Sequence, residues 1–436
     1  MTVFLLLGGC GSEPGSASSG RPNVLLVLID TIRADHLSCY GYHRDTTPNL
    51  DSLAASGVRY SRMMSGSPWT LPSMTTIFTG LPERSHRARL RDRTFYGIDP
   101  SLPFMPILLK HSGYRTAAFF NVIYMSEHFG FHRGFDHFDC QGLVELWNSR
   151  AAGATVDSLL LWLDDRPVEE PFFAAIHLFD PHATYNPPSP YDVMWADPDY
   201  QGRFDSSWGV RSDMDDANSG VVQVDSAGIR NLLDLYDGEL AYTDAQLGRL
   251  FAELRRRNLA GSTLVIVIGD HGEEFGDHGK FAHGHTLHAE LLQVPLIIAG
   301  PGVPNGIVDS ALVGSIDVMP TILAAAGVEP PEGLPGHDLM ASGFDPDRTL
   351  PASGLGGSRQ ACVRRLDRKV IWEAATDSSV MYDQAADPRE MSPLPSDSIL
   401  LAEVLSYWAT PPRGNPDAVP WTNAVRNELR DLGYIR

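Results

Sequence analysis

Asp30 and the pair Asp270-His271 are the residues of this 436-residue chain whose types and setting best suit chemistry. Each follows an apolar run: Val24 to Ile29 leads into Asp30, and Leu264 to Ile268 leads through Gly269 into Asp270. Together they offer carboxylate oxygens and an imidazole nitrogen, a donor set that suits a divalent cation from calcium to zinc or manganese. An Asp at a strand end can also simply cap the following helix. Two such acids with a histidine beside one of them favour the metal. Thr70 stands two residues before Pro72 at the start of a helical run. Pro in a first turn leaves outward-facing amides, an arrangement that receives a sulfate or phosphate group. A Thr hydroxyl is a poor nucleophile at neutral pH and needs direct metal coordination to lose its proton. Histidines crowd the rest of the candidate region: His177 and His182 lie around Asp180, and His278, His283, His285 and His288 follow His271. Asp180-Pro181-His182 and His283-Gly284-His285 fall at strand-to-loop regions. They could bind a substrate anion, protonate a leaving group or hold a second metal.

Residues so far apart in sequence can meet only if the fold brings strand ends together. From Arg21 onward, short apolar runs alternate with helical periodicity, which predicts an α/β fold with a large, mostly parallel sheet flanked by helices. In such a sheet ligands collect at the carboxyl ends of the strands. One ion with ligands at about 2 to 2.6 Å then requires the Thr70 hydroxyl and the acids to lie within about 8 Å of one another. Thr47-Pro48 is expected to cap and start a helix carrying Leu50, Leu53 and Ala54 that stops at Gly57. Met74, Ile77 and Phe78 mark a second helix closed by Gly80, and Phe172 to Phe179 reads as a buried strand. The acid-rich stretch 196–228 reads as a long loop, and Ile229 to Asn258 as a long helix with leucines at helical spacing. Val294 to Ala299 reads as a strand, Asp317 to Ala326 as a helix, and Glu329 to Gly336 as a Pro/Gly-rich boundary. Beyond it, Val370 to Trp372 is a strand candidate and Leu400 to Trp408 a helical stretch.

The formal net charge of −20 opposes a nucleic-acid partner or an anionic membrane surface. An anionic substrate must therefore be attracted locally, by cations or backbone amides. Near the N-terminus, Val3 to Leu7 is apolar, Leu7-Gly8-Gly9-Cys10 looks like a bacterial lipobox, and a Gly/Ser/Pro-rich tether runs from Gly11 to Gly20. This predicts an exported protein of the bacterial envelope or periplasm, lipid-anchored through Cys10. No other stretch is long and apolar enough to span a bilayer. Cys39, Cys140 and Cys362 have no metal-ligand spacing and imply no disulfide framework.

Several blocks resemble the sulfatase family within the alkaline phosphatase superfamily. They are Asn23 to Asp30, Asp180-Pro181-His182, Gly269-Asp270-His271-Gly272, Val294-Pro295-Leu296, Asp317-Val318-Met319-Pro320-Thr321, and Tyr382-Asp383 with Asp387-Pro388. The blocks keep the family's order from about residue 22 to 395. The resemblance implies a metal-dependent ester hydrolase built as a leader and linker over 1–20, a catalytic domain over 21–335 and a small C-terminal α+β subdomain over 336–436. Sulfatases carry a Cys or Ser in a C-x-P-S-R-like motif that is oxidised to formylglycine. Here the equivalent stretch is Thr70-Leu71-Pro72-Ser73-Met74. Oxidation of a Thr would give a ketone, so no formylglycine is expected. Thr31 stands where many sulfatases have a second Asp, His271 where they often have Asn, and Asn121 near the place of a family lysine.

This combination is similar to the phosphodiesterase branch of the superfamily. By that likeness a first metal takes Asp30, Thr70, Asp270 and His271, and a second draws on Asp180, His182 and His285. Asn121 and His283 are further candidates for the second metal or the substrate anion. The expectation is a hydrolase of a small-molecule or glycan sulfate or phosphate (di)ester, using one or two divalent ions. Thr70 would attack, and His182 or His285 would assist the leaving group. Two rivals remain: a catalytically silent binding protein of this fold, motivated by the missing motif residues, and a phospho-head-group transferase.

Overall fold

Every position of Asn23–Ile29 is buried, as a strand covered on both faces requires. In the computed structural model, which describes residues 20–420 apart from 93, 142–149, 168, 210, 342, 344, 346 and 355–358, it pairs in parallel with two equally buried strands. The leader and Cys10, with its expected lipid attachment, lie outside the described residues. Among the described residues the sheet has eight strands, in the order Ile307–Gly314, Gly57–Met64, Leu296–Ala299, Thr263–Gly269, Asn23–Ile29, Phe172–Leu178, Arg115–Phe120 and His137–Cys140. Leu296–Ala299 is antiparallel to both its neighbours, and the other pairings are parallel. Seven strands therefore deliver their carboxyl ends to one edge.

Helices cover both faces. Leu71, Met74 and Phe78 of Thr70–Thr79 pack with Leu109 of Met105–His111 and Ile322 of Val318–Ala325 against Leu26, Ile266 and Phe173. Across the sheet, Leu232, Tyr236, Leu247 and Leu250 of the 31-residue helix Ser226–Arg256 meet Leu25, Val27 and Ile176. That helix starts earlier than its leucine spacing predicts, because the Asp225 carboxylate accepts from the Gly228 amide at 2.7 Å and so caps residues with no apolar signal. Within the stretch expected to be loop, Arg211–Asn218 is a helix. Its one large apolar residue, Met214, packs into the core, too little for a readable period. Pro48–Ala55 does begin at Pro48, yet the Thr47 side chain makes no cap. The Asp244 carboxylate takes that role, accepting from the Asn49 and Leu50 amides at 2.9 and 2.8 Å.

Toward the C-terminus, Leu350–Ser353, Gln360–Arg364, Arg368–Glu373 and Ser378–Asp383 form an antiparallel sheet. The helix Ser398–Trp408 lays Val404 and Tyr407 on its Val363, Val370 and Met381. Leu350, Ala352 and Ile371 join this unit to Leu312 and Ile316 of the main body. A polar clamp adds to the apolar contact. The fully buried Glu390 carboxylate accepts from Lys369 Nζ at 2.9 Å through each oxygen and from Gln384 at 2.9 Å, and lies 3.3 Å from His288. His278, stacked on His288 at 3.7 Å, points Nδ1 at Glu290 (2.8 Å) and Nε2 at the Glu390 carbonyl (2.9 Å).

Burial alone would lower the His278 pKa, but two acceptors facing its two nitrogens push it up to about 9. Burial would raise Glu390, but Lys369 and its other donors hold it at about 2. A His raised from 6.5 gives stability that is complete below that value and lost as pH climbs through about 9. A Glu lowered from 4.5 gives stability present above that value and lost as pH falls through about 2. The clamp is therefore strongest between pH 4.5 and 6.5. Melting temperature should decline between pH 6.5 and 9 in the wild type, and less steeply in His278→Gln. Equal declines would remove His278 as the source.

Candidate metal centre

The Asn23–Ile29 strand ends by placing Asp30 at the carboxyl edge of the sheet, where its amide donates to the Leu178 carbonyl at 3.0 Å. The chain then turns sharply at Thr31, whose φ of 50° is an outlier for a β-branched residue. Tyr236 of the long helix holds the turn: its hydroxyl donates to the Thr31 carbonyl and accepts from the Arg33 amide, both at 2.9 Å. Thr263–Gly269 ends next door and delivers Asp270 and His271. Gly272 follows because a Cβ there would sit 1.9 Å from the Glu290 carbonyl oxygen. Thr70 is the first residue of its helix, after an extended Trp69 that provides no side-chain cap. The Ser65 and Ser73 hydroxyls both donate to the Asp270 carbonyl, tying the helix start to the strand end.

Asp30, Asp270 and His271 each aim one donor atom into a space where all three lie within 4.8 Å of one another. His271 Nε2 is 3.5 Å from Asp30 Oδ1, 3.3 Å from Asp270 Oδ2 and 3.3 Å from Thr70 Oγ1. The acids and the histidine are wholly buried, and Thr70 is 4% exposed. His271 Nδ1 lies 2.9 Å from the Gly272 carbonyl, which assigns the ring proton to Nδ1 and turns the Nε2 lone pair toward the acids. Asp270 Oδ1 accepts from the His271 and Thr31 amides at 2.7 and 3.3 Å. Its Oδ2 and both oxygens of Asp30 are buried, and among the described residues none has a hydrogen bond of good geometry, Asp30 Oδ2 having the 3.2 Å contact of His177 Nε2.

Converging acceptors of which several lack a well-aligned donor are costly in a protein interior, and a cation is the species that satisfies them together. Burial and then the Asp30 charge push the Asp270 carboxyl well above the usual range. Burial also works against Asp30, but the His177 contact and the neighbouring histidines outweigh it and hold its carboxyl below the usual range. Burial, reinforced by His283, lowers His271 to about 3, so it is neutral, as a ligand must be. These residues fit a divalent cation.

His182 and His283 adjoin this cluster. The His283 ring is 4.5 Å from that of His271 and 5.1 Å from that of His182, and its Nδ1 is 2.9 Å from Glu273 Oε1. His182 stacks on Phe179 at 4.4 Å and donates Nδ1 to the Ala183 carbonyl at 2.6 Å. The remaining candidates engage elsewhere. Asp180 accepts from the Ala152 amide at 2.7 Å and so serves the start of Ala152–Asp165, with burial pushing its carboxyl up to about 7. His285 sets Nε2 2.9 Å from Glu274 and Nδ1 3.2 Å from the His283 carbonyl. Asn121 donates to Thr155 (2.9 Å) and to the His177 carbonyl and accepts from Arg150 (2.9 Å), a network that ties the sheet to a helix. Among the described residues no second convergence of three ligand side chains accompanies the first.

Met74, in the place the resemblance gives to an arginine, is wholly buried in the core and brings no charge. A cleft of about 720 Å³ beside Arg33, Phe275 and Asp277 contains none of Asp30, Thr70, Asp270 or His271. His177 is the residue whose place only the structure reveals: it sits fully buried against Asp30, 3.2 Å from Nε2 to Oδ2. Its sequence signal was weak, a lone His inside an apolar strand.

The sulfatase family model matches residues 22–328. An arylsulfatase from Clostridium perfringens is 23% identical over 438 aligned positions, covering 86% of this chain and 90% of its own length. A phosphonate monoester hydrolase from Agrobacterium radiobacter superposes with a TM-score of 0.70 at 20% identity, covering 89% of this chain and 94% of the other. A structure solved in complex with its substrate D-glucosamine-2-N,6-O-disulfate superposes with a TM-score of 0.72 at 20% identity, covering 95% and 98%.

Proposed function

This chain belongs to the sulfatase family of ester hydrolases, and from that premise we propose that Asp30, Asp270 and His271 hold a divalent cation and that the Thr70 hydroxyl is the nucleophile toward a sulfuric or phosphoric ester. The observation that carries the reading is His271 Nε2, its lone pair facing Asp30, Asp270 and Thr70 at 3.3 to 3.5 Å. A bound cation supplies two things there: a lower pKa for the Thr70 hydroxyl and charge compensation for the ester oxygens. The chain supplies the rest. Thr70 opens a ten-residue helix, so its own amide and that of Leu71 lack partners within the helix and are suited to receive an ester anion. His182, with Nδ1 held by the Ala183 carbonyl, turns its ring toward the cluster to assist the ester or its leaving group, and His283, with Nδ1 against Glu273, packs between His182 and His271. Ser65 and Ser73 fix the helix start relative to Asp270 through its carbonyl, which keeps the nucleophile in register with the acids.

A threonine nucleophile favours phosphodiester or phosphonate chemistry, and the names of the sequence relatives favour sulfate esters, including those on glycans or small aryl groups. Aryl sulfate, phosphate monoester, phosphodiester and phosphonate substrates assayed with and without a chelator separate these. Turnover of one ester class that disappears with chelator and returns with added zinc, manganese or calcium is the expected result. Full activity in chelator would end the metal reading.

A further inference from the structure

His177 belongs to Phe172–Leu178, the neighbour of the strand that ends at Asp30, and the register sets it opposite Leu28. Its side chain is fully buried, and among the described residues neither ring nitrogen has a hydrogen bond of good geometry, although Nε2 lies 3.2 Å from Asp30 Oδ2. Asn121 donates to the His177 carbonyl and so pins the backbone that carries the ring. The two oxygens of Asp30 thus face different partners: Oδ1 toward His271 at 3.5 Å, Oδ2 toward His177. His177 is outside the set whose donor atoms converge within 4.8 Å, so it stands behind Asp30 and not beside it as a further ligand.

We infer that His177 is a positioning residue for the metal centre: its Nε2–H fixes Asp30 Oδ2 so that Oδ1 is presented to the cation. The inference rests on the metal reading given above. A carboxylate on a single bond can rotate away from an ion. A donor behind its second oxygen removes that freedom, and outer partners of this kind are worth about 10- to 100-fold in metal affinity. The neutral tautomer that donates from Nε2 leaves Nδ1 as an acceptor, which requires no second charge in the buried site.

Two polar replacements of similar cost separate the donor from the space it fills. In His177→Gln the amide nitrogen reaches the position of Nε2; in His177→Asn it reaches only that of Nδ1. Zinc and manganese dissociation constants, measured by competition with a chelating dye on the full chain, are the readout, with the melting temperature of the metal-free proteins confirming the fold. Expected is a loss of about 10- to 100-fold in His177→Asn and of less than about fivefold in His177→Gln. Equal affinities in the two variants, whether both near wild type or both weak, overturn the donor role. A wild type that binds neither ion overturns the metal reading itself and with it this inference, an outcome distinct from equal affinities.

Discussion

Thr70→Ala is expected to lose at least about 10³-fold in kcat/KM on whichever ester the wild type turns over, while its melting temperature stays close to wild type. The side chain opens a helix whose interior is held by Leu71, Met74 and Phe78, and alanine is a better helix former than threonine. Its hydroxyl is recorded against His271 Nε2 at 3.3 Å, so deletion removes the reacting oxygen and little packing. Thr70→Ser keeps that oxygen and should recover much of the rate, because it sacrifices only the methyl group that fixes the rotamer. Kinetics of both variants beside their melting curves provide the check. Near-wild-type turnover in the alanine variant would remove Thr70 from the chemistry.

Asp270→Asn is expected to bind zinc or manganese more than about 100-fold more weakly than wild type, beyond what loss of an outer partner costs, and to be inactive. Its metal-free form should melt no lower than the metal-free wild type. The reason is the metal-free wild-type site: burial and then the charge of Asp30 push the Asp270 carboxyl up, which favours its protonated form there, and a neutral amide imitates that form. Metal binding must displace that proton, so wild-type affinity should fall as pH is lowered. Metal at about 100 times the wild-type dissociation constant should stabilise the wild type by about 2.7 kcal/mol and Asp270→Asn by no more than about 0.4 kcal/mol. A variant whose melting temperature rises with metal as much as the wild type would take Asp270 out of the ligand set.

Much of the architecture is written in local patterns. Val24 to Ile29 and Leu264 to Ile268 read as buried strands because each is apolar throughout and ends abruptly at a polar residue. The long helix reads from its leucine spacing, and its start is hidden only because Ser226 to Gly228 carry no apolar mark. The antiparallel direction of Leu296–Ala299 has no local signature at all, since an apolar tetrapeptide looks the same in either direction. Asp180 illustrates the same limit for chemistry. Its strand-end position is the one that Asp30 and Asp270 occupy, yet its carboxylate is taken by an amide 28 positions earlier.

By itself the sequence determined which residues end on the ligand-gathering edge, because strand length and hydrophobicity are properties of contiguous residues. It also determined that Thr70 opens a helix, through Pro72 and the apolar spacing that follows. Tertiary structure alone decided which of the strand-end groups face one another. Asp30, Asp270 and His271 converge because their strands are immediate neighbours in parallel register. His285 is drawn to Glu274 and Asp180 to a helix start, and His177 is set behind Asp30 by pairing across the opposite edge of the same strand. The side chains of a buried polar cluster find their partners through space, and the energy of leaving any one unpaired is what selects the arrangement.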